Sequence, residues 1–429
     1  MSARVFVVDG ARTPFLKARN GPGPFSAVDL AVIAGRALLA RQPFDAPDFD
    51  ELILGCVIPA ADEANIARVV GLRLGTGFGV PAHTVQRNCG SGLQAVASAY
   101  DRISAGRAQL VLAGGTEAMS RAPVQWALPM TRWLADVSRA KGGLQRLRAL
   151  AGLRPRYLKP VFSLLLGLSD PVAGLSMGQT AEILAHRFAI TRAAQDDYAL
   201  QSHRRAAAAQ ADGVLADEIE TAYEPRGAFY GHDDGVRPDA RPDRLAQLRP
   251  VFDRGYGTVT SGNSSQISDG AALLILASEA AVRRWRLPVL AEIVDHAWAG
   301  VDPAQMGLGP VHATARLLAA HGLRTSDLAH VELNEAFAAQ VLACQAAFAS
   351  ADYARDELDL PAALGPIDDA CLNPAGGAVA IGHPVGATGA RLVLHLARSG
   401  RLRAGAFGLA TLCIGGGQGG ALLVRGGGL

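Results

Sequence analysis

The chain has 429 residues, of which 49% are hydrophobic and 19% charged, and its formal net charge is +2. This length exceeds the usual size of one hydrophobic core, so we expect two lobes or two domains with an insertion. The small net charge excludes general nucleic-acid binding, which needs a strong basic field. The five cysteines are odd in number and widely spaced, which favours a reducing, cytoplasmic setting with no disulfide framework and no metal.

The first element is a strand over residues 4–10 that ends in a turn. It lacks the basic region and cleavage site of a secretory signal. The longest apolar stretches, such as that around residues 164–166, are too short to span a bilayer.

Two segments of the chain repeat one order of elements, a helix, a strand, a second helix and a second strand. We therefore expect two similar α/β halves with largely parallel sheets, packed as pseudo-twofold mates. The arrangement puts Cys89 and His383 at the starts of equivalent helices that meet at the interface. The matched intervals are Leu39 to Asp48 with Leu318 to Asp327, nine residues each, and Cys89 to Gly106 with His383 to Gly400, seventeen residues each.

Residues 121–249 have no counterpart in the second half. The predicted domains are therefore 1–120 with 250–278, an inserted loop domain at 121–249, and 279–429. The insertion opens with nine Lys/Arg against one acid between Arg121 and Lys159, followed by an apolar stretch up to Met177. This composition fits a phosphate-rich ligand such as coenzyme A, an acyl chain, a partner or a membrane, and a solvated basic face is the alternative.

Local patterns divide the insertion further. Arg132, Arg139 and Arg146 are spaced to share one face of a helix, which Gly142 and Gly143 interrupt. Helices are predicted to begin at Met177 and after the N-cap Thr191, and a loop is predicted over residues 231–243.

Cys89 lies in the glycine-lined sequence 87–93, between a strand and a helix rich in small residues. The positive end of the helix dipole favours the thiolate, which is the form that attacks carbonyl carbon. A buried structural cysteine is the alternative, and the Gly/Ser surroundings favour a nucleophile.

His383 follows Gly382 and precedes Pro384, in a segment whose glycines and proline fix an unusual backbone. A histidine is the natural base for a thiol at neutral pH. A core or capping histidine is the alternative, and the symmetry relation to Cys89 favours the base.

Cys413 follows a buried strand and precedes three glycines. A second thiol beside an acyl-transfer site can exchange a proton with carbon, and the glycine amides can stabilise an oxyanion. A packing cysteine before a glycine hairpin is the alternative. Asn334 ends the strand at 331–333, where its amide can orient water or act only as a cap.

These motifs, in this order, make the chain resemble a thiolase over essentially its whole length. The resemblance implies an α/β thiolase fold, with two similar halves in a layered αβαβα arrangement and an inserted loop domain. The insertion is similar to that of the thiolase subunits of fatty-acid oxidation complexes, including the trifunctional-protein β-subunit type. The matching motifs lie at residues 88–92, 114–119, 257–265, 334–338, 382–384 and 413–417.

The resemblance also implies a reaction and its residues. His383 helps to deprotonate Cys89, which attacks the 3-keto carbon of a 3-ketoacyl-CoA; Cys413 protonates the released acetyl-CoA enolate, and coenzyme A removes the acyl group from Cys89. The amides of Cys89 and Gly415 stabilise one oxyanion, and His383 with a water on Asn334 binds the other thioester oxygen. Coenzyme A is a co-substrate, with no permanently bound cofactor. The residues implied to line its channel are Met177, Arg237, Phe252, Ser265, Ala336 and Phe337.

The chain departs from the family pattern at three positions. Ala375 within 373–377 implies a missing hydrogen bond near His383, and Ser176 before Met177 implies a weaker pantetheine contact. Asn334, where related oxidation-complex enzymes have histidine, bears on the subfamily and the preferred chain length. The alternatives are an acetoacetyl-CoA thiolase in the condensing direction, a decarboxylating condensing enzyme, and a non-catalytic lipid-binding or scaffold subunit. The resemblance implies a homodimer or homotetramer, with contact to a hydratase/dehydrogenase subunit or a peripheral membrane through residues 121–175.

Overall fold

The computed structural model describes residues 3–19 and 21–427. The strands are β1 (Val5–Arg12), β2 (Leu16–Lys17), β3 (Glu51–Gly55), β4 (Ala82–Val85), β5 (Leu110–Ala118), β6 (Val124–Trp126), β7 (Pro160–Phe162), β8 (Ala222–Tyr223), β9 (Phe229–Tyr230), β10 (Ser268–Ser278), β11 (Ala291–Gly300), β12 (Leu328–Leu333), β13 (Phe407–Ile414) and β14 (Gln418–Gly426).

The helices alternate with these strands in both halves of the chain. They are α1 (Ala27–Leu39), α2 (Ile66–Leu74), α3 (Ser91–Ser104), α4 (Leu128–Arg139), α5 (Gly143–Ala151), α6 (Ser163–Gly167), α7 (Met177–Arg187), α8 (Arg192–Ala211), α9 (Pro242–Ala246), α10 (Glu279–Trp285), α11 (Gly309–His321), α12 (Ala338–Ala349), α13 (Ala351–Leu358), α14 (Ala378–Ile381) and α15 (Thr388–Arg398). No helix in the described part of the chain is long and apolar enough to cross a membrane.

The main sheet shows the predicted repeat in its strand pairing. Its order is β12-β13-β14-β11-β1-β10-β5-β3-β4, with β2 beside β10. In the first half, β10 pairs antiparallel with both β1 and β5, and β5 pairs parallel with β3. In the second half, β14 pairs antiparallel with both β11 and β13, and β13 pairs parallel with β12. The prediction of largely parallel sheets is wrong, because long returning strands, β10 and β14, run antiparallel between the parallel βα units of each half.

Three hydrophobic clusters define the layers. One joins α1 and α2 to one face of the first-half strands, and another joins α11 and α12 to one face of the second-half strands. The third cluster lies between them and contains α3, α15 and strand residues from both halves. In β1, Phe6 and Val8 belong to the outer cluster whereas Val5 and Val7 belong to the central one, as expected for side chains that alternate between faces. The layers therefore follow the predicted αβαβα order.

The insertion extends from the end of β5 as a set of short elements. Gly142, at φ +93, separates α4 from α5, as predicted. Arg146 consequently lies on a different helix from Arg132 and Arg139, so the prediction of one shared helical face is wrong. Thr191 caps α8 through its side chain, as predicted, while α9 occupies the last residues of the predicted loop.

Candidate active site

Cys89 lies in a tight turn between β4 and α3. The Oγ of Ser91 accepts from the amide of Arg87 at 2.8 Å and donates to the carbonyl of Asn88 at 2.7 Å. Asn88 has φ +44, a left-handed conformation that few residues other than glycine adopt. Cys89 itself stays partly exposed at the start of the helix. The turn therefore presents the sulfur outside the helix, as the glycine-lined sequence predicts.

The resting state of Cys89 is set by two opposing effects. Burial among protein atoms raises the pKa of the Cys89 thiol, and the backbone amides of Gly415 and Cys89 lower it by less. The backbone amides thus favour the thiolate, as predicted for the helix start, but desolvation outweighs their effect. Cys89 rests as a thiol and needs a base.

The two central helices cross at a pair of glycines close to Cys89 and His383. A Cβ on Gly92 would lie 2.8 Å from the carbonyl oxygen of Gly386, and one on Gly389 would lie 2.3 Å from the amide nitrogen of Leu93. The crossing therefore requires glycine on both helices and brings the segment after His383 against the start of α3. His383 lies five residues before α15, so its prediction as a residue at the helix start is wrong; a turn intervenes.

His383 is 6% exposed, and both of its ring nitrogens face polar side chains. Nδ1 lies 2.7 Å from Thr388 Oγ1, and Thr388 donates its hydroxyl to the carbonyl of Pro384 at 2.9 Å. Nε2 lies 3.4 Å from Asn334 Nδ2. Burial and the charge of Arg391 lower the pKa of His383 to about 3. The imidazole is therefore neutral at pH 7 and has the protonation state of a base.

No hydrogen bond joins Cys89 to His383 in the part of the chain that the structure describes. Catalytic hydrogen bonds are often long before substrate binds, so this separation is compatible with a proton transfer in the substrate complex.

Asn334 follows β12, as predicted, and is fully buried. Its backbone amide donates to the carbonyl of Thr411 at 2.9 Å. Its Oδ1 is buried without a hydrogen-bond partner among the described residues. An acceptor in that position can hold the proton of a water, which is the role that the resemblance implies.

Glu335 follows Asn334 in sequence and is held by hydrogen bonds from several elements. The sequence predicted no role for it. Its carboxylate accepts from Tyr198 Oη at 2.9 Å, Ser202 Oγ at 2.6 Å, Asn373 Nδ2 at 3.0 Å and the amide of Val379 at 3.1 Å. Burial nevertheless raises the pKa of Glu335. An acid between Asn334 and a run of apolar residues is the sequence signal that could have identified this residue.

Cys413 lies within β13, paired with Gly419, rather than after the strand as the sequence suggested. It is 1% exposed, and burial raises the pKa of its thiol well above the usual value. Cys89 and Cys344 both contribute to this rise. Cys413 is therefore a protonated thiol. The turn that follows has positive φ at Gly416 and Gly417.

Most of the predicted coenzyme A residues gather beside Cys413. Ala336 and Phe337 share a hydrophobic cluster with Cys413, and Met177 and Phe252 pack against it. Ser265 joins the group through its amide, which donates to the carbonyl of Ala336 at 2.9 Å.

Arg237 lies apart from this cluster. Its amide donates to His203 Nδ1 at 3.2 Å, and burial together with the charge of Arg237 lowers the pKa of both His203 and Lys17.

Glu117 is a second buried acid that the sequence did not indicate as functional. Its carboxylate accepts the amides of Val57 at 2.9 Å and Ile58 at 3.0 Å and contacts Cys56 Sγ at 3.6 Å. Burial raises its pKa to about 7, although these amides and that of Gly386 lower it. Glu117 thereby connects the loop after β3 to the segment after His383.

A buried group of His330, Glu332 and His395 has the composition of a metal site. The ring nitrogens of His330 bond to Ser399 and Glu332, and His395 bonds to Glu218. Arg391 donates to Glu332, and Arg12 donates to Glu218. Arginine thus already supplies the positive charge that a metal would bring, and the group acts as a buried ion network between the insertion and both halves.

A layered αβαβα molecule with two thiols and a neutral histidine beside the crossing of its central helices has the architecture of an enzyme that transfers acyl groups through a thioester. Comparison with known proteins agrees. Residues 5–280 match the thiolase N-terminal domain and residues 287–426 the thiolase C-terminal domain.

A 3-ketoacyl-CoA thiolase of Pectobacterium atrosepticum is 38% identical over 424 residues, which cover 98% of this chain and 96% of that protein. The crystal structure of human mitochondrial 3-ketoacyl-CoA thiolase in complex with CoA matches with a TM-score of 0.84 and 36% identity, over 99% of this chain and 98% of that one. The crystal structure of Bacillus anthracis acetyl-CoA acetyltransferase matches with a TM-score of 0.82 and 35% identity, over 99% of each chain. The chain belongs to the thiolase family and is an acyltransferase with the thiolase fold.

Proposed function

We propose that this protein is a 3-ketoacyl-CoA thiolase that cleaves its substrate with coenzyme A, through an acyl group carried on Cys89. The observation that carries the proposal is geometric: His383 lies between Thr388 Oγ1 and Asn334 Nδ2, Asn88 joins the Cys89 turn to the Gly415 turn, and Cys413 lies in the strand that leads into that turn. The reaction needs one base, one nucleophile and one acid at carbon, and His383, Cys89 and Cys413 start in the required forms. The relatives that bear the name 3-ketoacyl-CoA thiolase over the whole chain support the substrate class.

The first half-reaction forms the acyl-enzyme. His383 donates its Nδ1–H to Thr388 Oγ1, so Nε2, which accepts from Asn334 Nδ2 at 3.4 Å, carries the lone pair that takes the proton of Cys89. The thiolate attacks the 3-keto carbon, and the amides of Cys89 and Gly415 stabilise the resulting oxyanion. The bond between C2 and C3 then breaks and its electron pair passes to C2, which becomes the enolate carbon of acetyl-CoA.

Cys413 completes the cleavage and begins the second half-reaction. Its thiol gives a proton to C2 of the enolate, whose thioester oxygen accepts from His383 and from the water on Asn334. The Cys413 thiolate next takes the proton of coenzyme A, and the coenzyme A thiolate attacks the acyl-Cys89 thioester. The Cys89 thiolate leaves and recovers its proton from His383, so the enzyme returns to its starting state.

Coenzyme A enters this scheme as a co-substrate, and no permanently bound cofactor takes part. We propose that the cluster of Met177, Phe252, Ala336 and Phe337 receives the pantetheine arm, because it is an apolar wall that leads directly to Cys413. Phe252 and Phe337 meet edge to face at 6.0 Å, which makes part of this wall rigid. Ser265 and Arg237 remain predicted contacts for the polar parts of the molecule.

The direct test supplies the protein with 3-ketoacyl-CoA substrates of four to sixteen carbons and free coenzyme A. We expect loss of the 3-ketoacyl chromophore with equal formation of acetyl-CoA and an acyl-CoA two carbons shorter. Inactivity at every chain length would show the proposal to be wrong. A rate confined to the four-carbon substrate would favour the second candidate, an acetoacetyl-CoA thiolase, which the structural match to an acetyl-CoA acetyltransferase supports.

We also propose a docking role for the insertion. Large apolar side chains between residues 124 and 172 are at least 39% exposed, and we call them the apolar insertion face. They are Val124, Trp126, Leu128, Leu134, Leu144, Leu147, Leu150, Leu153, Leu158, Phe162, Leu165, Leu166 and Val172. Trp133 joins α4 to α5 by donating to the carbonyl of Ala149 at 2.8 Å. Between residues 121 and 172 these apolar side chains lie among nine cations and two acids, a composition that fits an anionic lipid surface.

Sedimentation with phosphatidylglycerol vesicles tests this assignment, with phosphatidylcholine vesicles as the control. We expect binding to the anionic vesicles only, weakened by salt and lost in Leu147→Glu, which leaves thiolysis unchanged. Binding to a hydratase/dehydrogenase subunit without vesicle binding would assign the face to a protein partner. A homodimer or homotetramer and a cytoplasmic location stay predictions, and light scattering of the purified protein measures the first.

A further inference from the structure

Asn88 lies in the turn that carries Cys89, and the proposed mechanism assigns it no role. Asn88 has φ +44, one of five non-glycine residues with positive φ in the described part of the chain. Asparagine tolerates this conformation better than most residues, but the strain persists only where surrounding contacts hold it. Such strain beside a nucleophile raises the question of which contacts hold Asn88.

The side chain of Asn88 crosses from the first half to the second. Its Nδ2 donates to the carbonyl oxygen of Gly415 at 2.8 Å, in the turn between β13 and β14. Gln86 Nε2 lies 3.4 Å from Asn88 Oδ1 and orients the amide so that its NH2 group faces Gly415. The carboxamide thus connects the nucleophile turn directly to the glycine turn.

Arg87 makes a parallel connection. Its Nη1 donates to Gln418 Oε1 at 3.2 Å, and its guanidinium lies 4.2 Å from the ring centroid of Trp298. Residues 87 and 88 therefore attach to both ends of the segment 415–418.

The glycine turn depends on such external contacts. Gly416 and Gly417 have φ +88 and +75 and carry no side chains that could fix the turn from within. Gly415 is the residue of this turn whose backbone amide lowers the pKa of the Cys89 thiol. The carbonyl that Asn88 holds belongs to the Gly415–Gly416 peptide, and the N–H belongs to the preceding peptide. Because the two peptides meet at the Gly415 Cα, a displacement of the carbonyl would also move the N–H away from the sulfur and from the oxyanion that forms there.

We propose that Asn88 is a positioning residue that holds Gly415 so that its N–H faces the Cys89 sulfur and the oxyanion of the acyl-transfer step. The inference rests on the proposed function, in which Cys89 is the nucleophile and Gly415 an oxyanion donor. Asn88 acts through Gly415 and does not itself touch the reacting atoms.

Two substitutions separate this role from ordinary stabilisation of a turn. Asn88→Gly keeps the left-handed backbone without strain and removes the hydrogen bond to Gly415. Asn88→Asp keeps the shape of the side chain but replaces the donor by an oxygen that faces a carbonyl. A residue that only stabilised the turn would tolerate glycine, whereas a residue that holds Gly415 would not.

The experiment uses the full chain and measures three quantities for each variant: the pH profile of Cys89 alkylation by iodoacetamide, kcat and KM with acetoacetyl-CoA, and Tm. For Asn88→Gly we expect the alkylation midpoint to rise by about 0.5 to 1 pH unit, because the amide that stabilises the thiolate is displaced. We expect kcat to fall about tenfold, less than the loss on deleting an oxyanion donor outright, with KM changed less than twofold. Asn88→Asp should show the same pattern more strongly.

Asp359→Gly is the matched control. Asp359 is an exposed residue at φ +54 that caps α13, so its replacement relieves similar backbone strain outside the site. It should leave the alkylation midpoint, kcat and KM unchanged.

An unchanged alkylation midpoint and kcat in a folded Asn88→Gly would overturn the inference. If Asn88→Gly fails to fold, the same readouts on Asn88→Asp decide; failure of both to fold would also overturn it, since a general structural role would then account for Asn88. The outcome is separable from failure of the proposed function. A wild type without thiolysis refutes the thiolase assignment, whereas the alkylation profile still reports whether Asn88 positions Gly415.

Discussion

The two halves of the molecule share their strand pairing but differ in the chemistry that their loops carry. In the first half, the loop before α3 holds a partly exposed thiol, Cys89. In the second half, the corresponding loop holds a buried neutral imidazole, His383, and the strand ends hold Asn334 and Cys413. The shared strand pairing therefore reflects the predicted repeat. Under the proposed function, residue type alone distinguishes the half that supplies the nucleophile from the half that supplies the base and the acid.

The largest expected effect comes from replacing Cys89 and Cys413 with alanine, each in a separate variant. We expect Cys89→Ala to lose thiolysis by about 10⁴-fold or more, as is typical for loss of a catalytic nucleophile, and to accept no acyl group. We expect Cys413→Ala to lose carbon–carbon cleavage to a similar extent while Cys89 still takes an acyl group from an acyl-CoA, because that step needs no proton at carbon. Intact-protein mass spectrometry measures acylation, and the chromophore assay measures cleavage.

Cys344 provides the control for this pair. It is a buried thiol that donates to the carbonyl of Gly307 at 3.1 Å and has no part in the mechanism. Cys344→Ala should retain both acylation and cleavage. Acyl groups found on Cys413 or Cys344 in place of Cys89 would reverse the assignment of the nucleophile.

The equal intervals and the glycine motifs were enough to predict the duplicated halves. The approach of Cys89 to His383 stays a prediction, which the close contact of Gly92 with Gly386 supports. Strand direction was not predictable in the same way, because β10 and β14 are buried on both faces and read as continuous apolar runs, whether parallel or antiparallel. The sequence also could not predict the protonation states of Cys89 and His383, since the pKa of each depends on burial that no local motif encodes.

The supporting residues around the site show the same limit. Glu117 and Glu335 lie within recognisable motifs, but only the structure shows that Glu117 accepts amides of the loop after β3 and that Glu335 accepts the amide of Val379 in α14. Asn88 is adjacent to the nucleophile in sequence, and its bond to Gly415 spans 327 residues. The domain limits at 120, 249 and 278 stay predictions.

The meeting of the halves can be disturbed directly at the helix crossing. Gly389→Ala places a Cβ 2.3 Å from the Leu93 amide nitrogen, and Gly92→Ala places one 2.8 Å from the Gly386 oxygen. Because both neighbours are backbone atoms that cannot rotate away, we expect each substitution to lower the free energy of unfolding by about 1–3 kcal/mol, with Gly389→Ala at the upper end. Denaturant unfolding measures the loss.

Gly400→Ala is the control for the crossing, because nothing lies within 4 Å of a Cβ at Gly400 and its φ is not positive. It should change stability by less than about 0.5 kcal/mol, as surface substitutions usually do. Equal effects of Gly400→Ala and Gly389→Ala would contradict a steric crossing at α3 and α15.

The last predicted effect concerns the neutral state of His383. Its pKa is lowered from 6.5 to about 3, so between these values the unfolded chain binds a proton that the native protein does not. The stability from this group is therefore fully present above pH 6.5 and is lost as pH falls, with about 2 kcal/mol lost by pH 5. In His383→Gln the dependence should be absent, while that of His203, whose pKa is also lowered, remains in both proteins and cancels in the difference. Denaturant unfolding of both proteins at pH 7 and pH 5 measures this difference; parallel losses would mean that the His383 imidazole is already charged in the native state, and the base would then have to be found elsewhere in the second half.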